Sequence, residues 1–280
     1  MKRLLILFLG LGRLAGQEWT GDTEVRMVDR IAQNDLAREV YREIIARLRE
    51  DGVPPDFVEK TISSPAIKIE DEVISRFNHP FERLSYDRYQ RLFVTQDRIA
   101  QGKEFYQTHR PLLETVSDSF GVDPFLLVSI VGIESKYGEK SEQFSVFNAL
   151  HTVIHKLPRR EKWVTREMTE YLKFCYENSI PPHSLYGSYA GAFGYGQFIP
   201  SSFNHYSIDM DGDGVRHPYQ WPDVLGSIAS YLSRHGYNVN DPAFSPGSAN
   251  WKAILAYNPS GNYVRAVLDL RSELKKVPAD

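Results

Sequence analysis

Phe125-Leu-Leu-Val-Ser-Ile-Val-Gly-Ile133 is the stretch of sequence that decides the fold. Its residues are apolar around nearly the whole circumference of a helix, a pattern typical of a helix buried on every side. Just before it, Asp123 stands where an N-cap is expected and Pro124 stands at the first helical position. The sequence therefore predicts an enclosed helix that begins at Pro124 and runs up to Glu134.

The rest of the chain is also patterned mostly for helices. Residues 24–60 and 95–120 have helical apolar spacing, and further helices are predicted at 146–156, 160–177, 223–235, 249–256 and 261–275. The segment from Gly187 to Asp213 is rich in glycine and aromatic residues, so loops and short helical turns are expected there. The predicted fold class is mainly α, with one helical body over residues 24–280 and a semi-separate N-terminal helical part at 24–104.

Composition narrows the classes of function. The chain has 280 residues, of which 42% are hydrophobic and 25% charged, as in an ordinary globular protein. The net charge is -3 and no basic run is present, which argues against a nucleic-acid partner. Cys175 is the only cysteine, so it cannot form an internal disulfide, and its helical context predicts a buried, inert thiol.

The N-terminus is typical of an export signal. Lys2 and Arg3 precede Leu4-Leu-Ile-Leu-Phe-Leu-Gly-Leu-Gly12, an apolar run too short to span a bilayer as an ordinary helix. Residues 1–16 are therefore predicted to be a signal peptide or an N-terminal membrane segment, and the alternative is a buried first helix. Export would place the protein in the periplasm or cell envelope, where an uncleaved N-terminus would associate it with the membrane.

Glu134 is the first candidate for chemistry. It directly follows the apolar run, and a carboxyl beside apolar side chains is poorly solvated, which disfavours its charged form and raises its pKa. A general acid at neutral pH needs such a carboxyl. The alternative is a surface glutamate near a helix C-terminus, although negative charge is unfavourable at that end of a helix.

Glu134-Ser-Lys-Tyr-Gly138 resembles the catalytic glutamate motif of lysozyme-like lytic transglycosylases. Four later blocks resemble the membrane-bound lytic transglycosylase B family in order and spacing, and the third is highly specific: Phe147-Asn-Ala-Leu150, Leu157-Pro-Arg-Arg160, Gly187-Ser-Tyr-Ala-Gly-Ala-Phe-Gly-Tyr-Gly-Gln-Phe-Ile-Pro-Ser-Ser202 and Ala256-Tyr-Asn-Pro-Ser-Gly-Asn-Tyr263. Ser135 and Tyr137 stand where Thr and Trp are often found, and Tyr189 and Phe193 where Phe and Met are. The resemblance covers roughly residues 24–275 and implies a lysozyme-like α+β fold.

The resemblance implies a lytic murein transglycosylase, which cleaves the β-1,4 bond between MurNAc and GlcNAc in peptidoglycan glycan strands. Glycosidases usually use two carboxylates, but this motif set contains one. In the family, the N-acetyl group of the muramyl sugar attacks its own anomeric carbon. Glu134 would first protonate the leaving oxygen and then take a proton from the 6-hydroxyl, which closes a 1,6-anhydro ring without a cofactor.

The resemblance also implies the substrate-binding residues. Ser188 corresponds to the residue that hydrogen-bonds the catalytic glutamate, and Gln197 is expected to contact the N-acetyl sugar. Sugar stacking is expected from four tyrosines, hydrogen bonding from an asparagine, and contact with the stem peptide or lactyl carboxylate from two arginines: Tyr195, Tyr231, Tyr257, Tyr263, Asn258, Arg159 and Arg160. The alternative for each tyrosine is a core position, and for the arginines a solvated helix start.

A calcium loop is predicted at Asp209-Met-Asp-Gly-Asp-Gly-Val215. Asp209, Asp211 and Asp213 supply oxygen at positions 1, 3 and 5 of an EF-hand-like loop, a glycine stands at position 6, and Val215 offers a backbone carbonyl at position 7. Position 12 is a glutamine, so the resemblance implies an enlarged loop closed by Asp223. A structural Ca²⁺ is expected, and the alternatives are sodium, an empty site or a plain turn.

Two other functions remain open at this point. A hydrolytic muramidase would cleave the same bond with water, and a second carboxylate near Glu134 would favour it. A catalytically silent peptidoglycan-binding protein would keep the cleft without the chemistry. The presence of Glu134, Ser188 and Gln197 together argues against the silent protein.

Overall fold

The computed structural model describes residues 18–79, 83–139 and 143–276, and helices dominate it. The helices are α1 (Gly21–Ile31), α2 (Asp35–Glu50), α3 (Pro55–Ile62), α4 (Asp71–Asn78), α5 (Tyr86–Phe93), α6 (Gln96–Thr108), α7 (Arg110–Phe120), α8 (Pro124–Ser135), α9 (Val146–Lys156), α10 (Glu161–Glu177), α11 (Pro200–Tyr206), α12 (Trp221–Arg234), α13 (Ala249–Tyr257) and α14 (Gly261–Leu274). A short 3-10 helix, Pro158–Arg160, precedes α10. The mainly α prediction is confirmed, while the predicted signal segment 1–16 lies outside the described residues.

Helix α8 is the enclosed helix that the sequence predicts. The side chain of Asp123 caps it by accepting a hydrogen bond from the backbone N–H of Phe125 at 2.9 Å, and Pro124 occupies the first turn. The same carboxylate pairs with Arg271 of α14, which packs along α8, and with Lys275 at the C-terminal cap of that helix. These contacts fix the start of α8, and so they also fix where its far end presents Glu134.

Helices α6, α7 and α12 also pack on α8, and the other helices extend the core from there. Helix α2 packs on α10 and α9, so the N-terminal helices cover the same core as α9, and Cys175 of α10 is fully buried, as predicted. The helical spacing predicted over 95–120 resolves into two helices, α6 and α7, that meet at His109. Pro111 explains this break, because proline fits the first turn of a helix but not its interior.

The Gly187–Asp213 segment contains the short elements that the sequence predicts, and its first residue belongs to a small sheet that the sequence does not predict. Strand β1 (Phe144–Ser145) pairs antiparallel with β2 (Tyr186–Gly187), with Phe144 opposite Gly187. Isolated bridges join Gly187 to Phe193 and Phe193 to Phe198. These pairings fold the glycine-rich segment back on itself beside the end of α8.

Among the described helices, α8 has the most apolar sequence but only 12 residues. No single described helix has both the length and the apolar composition to cross a membrane. Helices α7 and α8 meet those criteria only when joined across a bend of 112°.

Candidate active site

A cleft of about 1060 Å³ opens at the C-terminal end of α8. It brings together nine of the ten residues predicted to be catalytic or substrate-binding: Glu134, Arg160, Ser188, Tyr195, Gln197, Tyr231, Tyr257, Asn258 and Tyr263. Arg159 is the exception, because it lines only an adjoining surface hollow, to which Arg160 and Trp163 also contribute. Of the two neighbouring arginines, Arg160 alone lines the cleft.

Glu134 lies half-buried in the last turn of α8. Ile133 and Ser135 flank it in the wall of the cleft. Among the described residues that line the cleft, Glu134 is the only carboxylate, while Glu142 lies outside the described residues. A single described carboxylate in the wall of the cleft suits a mechanism in which one group both gives and takes the proton.

The negative charge of Glu134 affects the pKa of two buried tyrosines. Burial raises the pKa of Tyr257 and of Tyr263 well above the ordinary value, and in both the negative charge of Glu134 is the next cause. The Tyr257 hydroxyl donates to the backbone carbonyl of Gly196 at 2.5 Å. The Tyr263 hydroxyl is buried and has no well-formed hydrogen bond within the described residues, although it lies within reach of the Glu134 carboxyl. Both phenols therefore stay protonated beside the carboxyl.

The loop that carries Ser188 is held by its own backbone. The Ser188 hydroxyl oxygen accepts hydrogen bonds from the N–H groups of Ala190 (3.2 Å) and Ala192 (3.1 Å). A Cβ at Gly187 would lie 2.2 Å from the carbonyl oxygen of Ala192, so only glycine fits there. Because the Ser188 oxygen accepts two bonds, its single proton remains to be donated.

Gln197 has an unusual backbone conformation. Its φ of 51° lies in the left-handed region, which residues other than glycine seldom adopt and which concentrates at functional sites. Its side-chain Nε2 donates to the carbonyl of Gly194 at 3.0 Å, and its backbone N–H donates to the same carbonyl at 2.9 Å. The turn thus fixes the amide of Gln197 in the wall of the cleft.

The remaining predicted tyrosines, Tyr195 and Tyr231, differ in how many of their side-chain contacts are made within the protein. The ring of Tyr195 stacks on Trp221 with centroids 4.6 Å apart. Tyr231 is 8% exposed, its ring stacks on His235 at 4.0 Å, and its hydroxyl donates to Ala256 at 2.7 Å. Burial raises the pKa of Tyr231 to about 12. One face and the hydroxyl of Tyr231 are therefore engaged within the protein.

One end of the cleft was not predicted from the sequence. Arg76 and Phe77 of α4 line it together with Trp163 of α10, and the Arg160 guanidinium lies 4.4 Å from the centroid of the Phe77 ring. Phe77 also meets Tyr189 edge to face at 4.9 Å. Nothing in the local pattern around α4 marks these residues, because their role arises from the packing of α4 on α9.

Three of the predicted calcium ligands come together. Carboxylate oxygens of Asp209, Asp211 and Asp223 lie within 4.8 Å of one another. Asp223 is 1% exposed and accepts hydrogen bonds from the backbone N–H groups of Met210 (2.8 Å) and His217 (2.6 Å). Asp213 lies outside this cluster, and its carboxylate accepts the N–H of Val215 at 2.8 Å. We call Asp209, Asp211 and Asp223 the aspartate cluster.

Several solved structures share the fold of this chain. The Escherichia coli lytic transglycosylase Slt35 in complex with bulgecin A has a TM-score of 0.78, with 25% identity and coverage of 88% of this chain and 94% of that chain. Slt35 has also been solved in complex with calcium, with 24% identity. The soluble lytic transglycosylase SltB1 from Pseudomonas aeruginosa has a TM-score of 0.76 and 26% identity, and covers 85% of this chain and 98% of that chain.

Sequence relatives point to the same group. Membrane-bound lytic murein transglycosylase B of Escherichia coli strain K12 is 34% identical over 154 residues, which is 55% of this chain. The matched region spans 43% of that relative's length. Residues 37–246 match the family profile described as the transglycosylase SLT domain, and this range is well over half of the chain. The chain therefore belongs to the transglycosylase SLT domain family.

Proposed function

We propose that this protein is a lytic murein transglycosylase that cleaves the MurNAc-GlcNAc β-1,4 bond of peptidoglycan and leaves 1,6-anhydroMurNAc ends. The observation that carries the proposal is the single described carboxylate, Glu134, in the wall of a cleft that Ser188, Gln197 and Tyr257 also line. Membership of the transglycosylase SLT domain family supports it. So does the similarity to Escherichia coli membrane-bound lytic murein transglycosylase B.

Glu134 can perform both proton transfers in such a reaction. As an acid, it protonates the glycosidic oxygen while the N-acetyl carbonyl oxygen of MurNAc bonds to the anomeric carbon and the glycosidic bond breaks. As a base, the resulting carboxylate removes the proton of the 6-hydroxyl, whose oxygen then displaces the N-acetyl oxygen. Glu134 ends protonated, so the cycle consumes neither water nor a cofactor.

The surrounding residues are proposed to orient this chemistry. The free proton of Ser188 is donated to the Glu134 carboxyl, and Gln197 contacts the N-acetyl sugar. Tyr195 supplies a sugar-stacking face, with Tyr231, Tyr257 and Tyr263 closing the wall around Glu134, and Asn258 hydrogen-bonds the glycan. Arg160, held over Phe77, pairs with a carboxylate of the stem peptide or the lactyl group.

Product analysis tests the proposed function. Purified peptidoglycan digested with the protein should release muropeptides that end in anhydroMurNAc, each lighter by one water than the matching reducing muropeptide. Reducing ends would instead identify a muramidase, and intact strands bound to protein would identify a silent binding protein. Glu142→Gln serves as a control, because a hydrolase that used this carboxylate would lose activity while the proposed transglycosylase would keep it.

We also propose that the aspartate cluster holds a structural Ca²⁺. Three carboxylates within 4.8 Å repel one another without a cation, and calcium prefers hard oxygen ligands of this kind. Slt35 crystallised in complex with calcium is consistent with such a site. The ion would join the loop to the first turn of α12 through Asp223 and take no part in the reaction.

The proposed substrate sets the proposed location. Murein lies outside the cytoplasmic membrane, so the enzyme must be exported, and the signal-like residues 1–16 provide a means. We propose that the protein works in the periplasm or at the cell envelope, with glycan strands as its partner. If residues 1–16 stay attached, they would associate it with the membrane. N-terminal sequencing of the exported protein distinguishes the two forms.

A further inference from the structure

The turn that follows Glu134 is held in an unusual way. Lys136 and Tyr137 are consecutive residues with φ of 51° and 58°, both in the left-handed region. Such a conformation persists in non-glycine residues only when the surrounding structure enforces it. These two left-handed residues turn the chain sharply at the end of α8. As a result, the Tyr137 side chain packs against the same helix that carries Glu134.

The Tyr137 phenol lies in a slot between α6 and α8. Only glycines at two positions of these helices leave room for it. A Cβ at Gly102 of α6 would lie 2.3 Å from the Tyr137 hydroxyl oxygen, and a Cβ at Gly132 of α8 would lie 2.5 Å from it. Inside the slot, the hydroxyl donates to the backbone carbonyl of Arg98 at 3.1 Å. Any movement of the ring must therefore shift α6, α8 or the turn itself.

The other side of the same turn is also packed. The ring of Phe105 lies 5.4 Å from that of Tyr137 and 4.6 Å from that of Trp221, measured between centroids. Trp221 in turn stacks on Tyr195 of the cleft wall. A Cβ at Gly138 would lie 3.1 Å from the Tyr195 ring. The turn is thus fixed between the α6–α8 slot and the cleft wall.

We propose that Tyr137 is a positioning residue for Glu134, and that the glycines at 102 and 132 are required to admit its ring. The inference rests on the proposed function. Tyr137 does not line the cleft, so it acts on the reaction only through the backbone that presents the Glu134 carboxyl. Displacement of the turn should lower the rate of proton transfer more than it lowers affinity for the glycan, because the turn directly adjoins the end of α8 that carries Glu134, whereas Gln197 and Asn258 lie on other segments of the wall.

A double-mutant cycle tests the proposal, with Gly102→Ala, Tyr137→Phe and the double variant. The methyl group added at residue 102 meets the Tyr137 oxygen, and Tyr137→Phe removes that oxygen, so the nearest ring atom is then Cζ at 3.0 Å. The tip of Leu274, at 2.8 Å, meets the same methyl group with either residue at position 137, so the cycle separates its effect from that of the Tyr137 oxygen. We expect Gly102→Ala to lower kcat at least tenfold with KM changed less than threefold. The double variant should return to within threefold of Tyr137→Phe.

Controls separate positioning from stability. Tyr171→Phe removes a comparable buried hydrogen bond, from the Tyr171 hydroxyl to the carbonyl of Pro182 at 2.6 Å, at a residue that does not line the cleft. It should lower the melting temperature and leave kcat unchanged. If Gly102→Ala lowers the melting temperature but leaves kcat intact, or if Tyr137→Phe does not restore kcat, Tyr137 is a packing residue only.

A readout independent of turnover keeps the inference separate from the proposed function. The ¹³C carboxyl signal of Glu134, assigned by its loss in Glu134→Gln, should shift in Gly102→Ala and return in the double variant. This result would support positioning even if the products carried reducing ends, which would overturn the proposed function alone. An unchanged Glu134 signal in Gly102→Ala would overturn the inference, whatever the products are.

Discussion

Glu134 and the aspartate cluster are the two acidic regions of this molecule, and they are built in opposite ways. Glu134 is the one carboxylate of the described cleft wall, with buried tyrosines around it. The aspartate cluster gathers three carboxylates that receive backbone N–H groups at the edge of a loop. A half-buried carboxyl that is the only one described in its cleft wall suits proton transfer, whereas three carboxylates close together suit the binding of a cation. The two regions are therefore proposed for different roles, catalysis at Glu134 and metal binding at the aspartate cluster.

The largest effect should come from the first region. Glu134→Gln keeps the shape of the side chain but cannot transfer a proton, so kcat should fall by about 10³-fold or more. The melting temperature and the binding of the variant to insoluble peptidoglycan should stay close to those of the wild type. Substantial residual turnover in the purified variant would contradict the role of Glu134.

The second region should respond to metal through stability and not through chemistry. Calcium that binds only the folded state at a hundredfold excess over its dissociation constant stabilises it by about 2.7 kcal/mol. Calcium should raise the melting temperature of the demetallated protein, and magnesium should do so much less, because magnesium requires a tight octahedron.

Two aspartate variants sharpen this prediction. Asp209→Ala should remove the calcium effect on melting. Asp213→Ala, a matched change at an aspartate outside the cluster, should keep most of the effect. Loss of the calcium effect in both would place Asp213 among the ligands, and an unchanged melting curve with calcium and with chelator would leave the loop as a plain turn.

The buried side chain of His151 should give a third, smaller effect, which concerns folding stability at acidic pH. Burial, helped by His155 and His183, lowers the pKa of His151 to about 3, and the Tyr41 hydroxyl bonds to its Nδ1 at 2.5 Å. Below the unfolded pKa of about 6.5 the unfolded chain binds a proton that the folded chain does not. The stability contributed by His151 is thus complete above pH 6.5 and is lost as the pH falls toward 3.

At pH 5 the loss should be about 2 kcal/mol, from a gap of roughly 1.5 pH units at 1.36 kcal/mol per unit. Chemical denaturation at pH 7 and pH 5 measures it, and His151→Gln should reduce the difference between the two values. His79→Gln, at an exposed histidine, should leave the difference unchanged. An equal pH dependence in His151→Gln and the wild type would rule out His151 as its source.

The smallest effect concerns the two neighbouring arginines. Arg160→Ala should raise KM for peptidoglycan roughly fivefold, equivalent to about 1 kcal/mol, because a partly exposed ion pair contributes little more. The same variant should act normally on glycan strands stripped of their peptides. Arg159→Ala should change KM less than twofold, and equal effects of the two variants would show that the cleft does not distinguish them.

Much of the fold follows from local pattern, and α8 shows why. Apolar residues on all sides, an aspartate N-cap and a proline in the first turn act within one helix, so the sequence defines its start. The break between α6 and α7 at His109 was missed, because apolar spacing alone continues across it. Local spacing also could not reveal the β1–β2 pairing, since its partners are separated by some 40 residues.

The candidate site shows the same difference between local sequence pattern and tertiary packing. Most residues of the cleft could be predicted, because they lie in sequence blocks that are contiguous and specific. Arg76 and Phe77 were missed, because they reach the cleft only through the packing of α4 on α9. The position of Arg159 outside the cleft wall depends on the direction of its side chain in the 3-10 helix before α10, and the position of Asp213 depends on how the loop closes on Asp223. Neither can be inferred from spacing.

Digestion of peptidoglycan in heavy-oxygen water tests the central claim most directly. If Glu134 works alone and the 6-hydroxyl of MurNAc closes the ring, the new sugar ends carry no heavy oxygen and are one water lighter than reducing ends. Mass spectrometry of the released muropeptides reads both properties in one experiment. Heavy oxygen at the new ends would show that water attacks the anomeric carbon, and the account of a single catalytic carboxyl would be wrong.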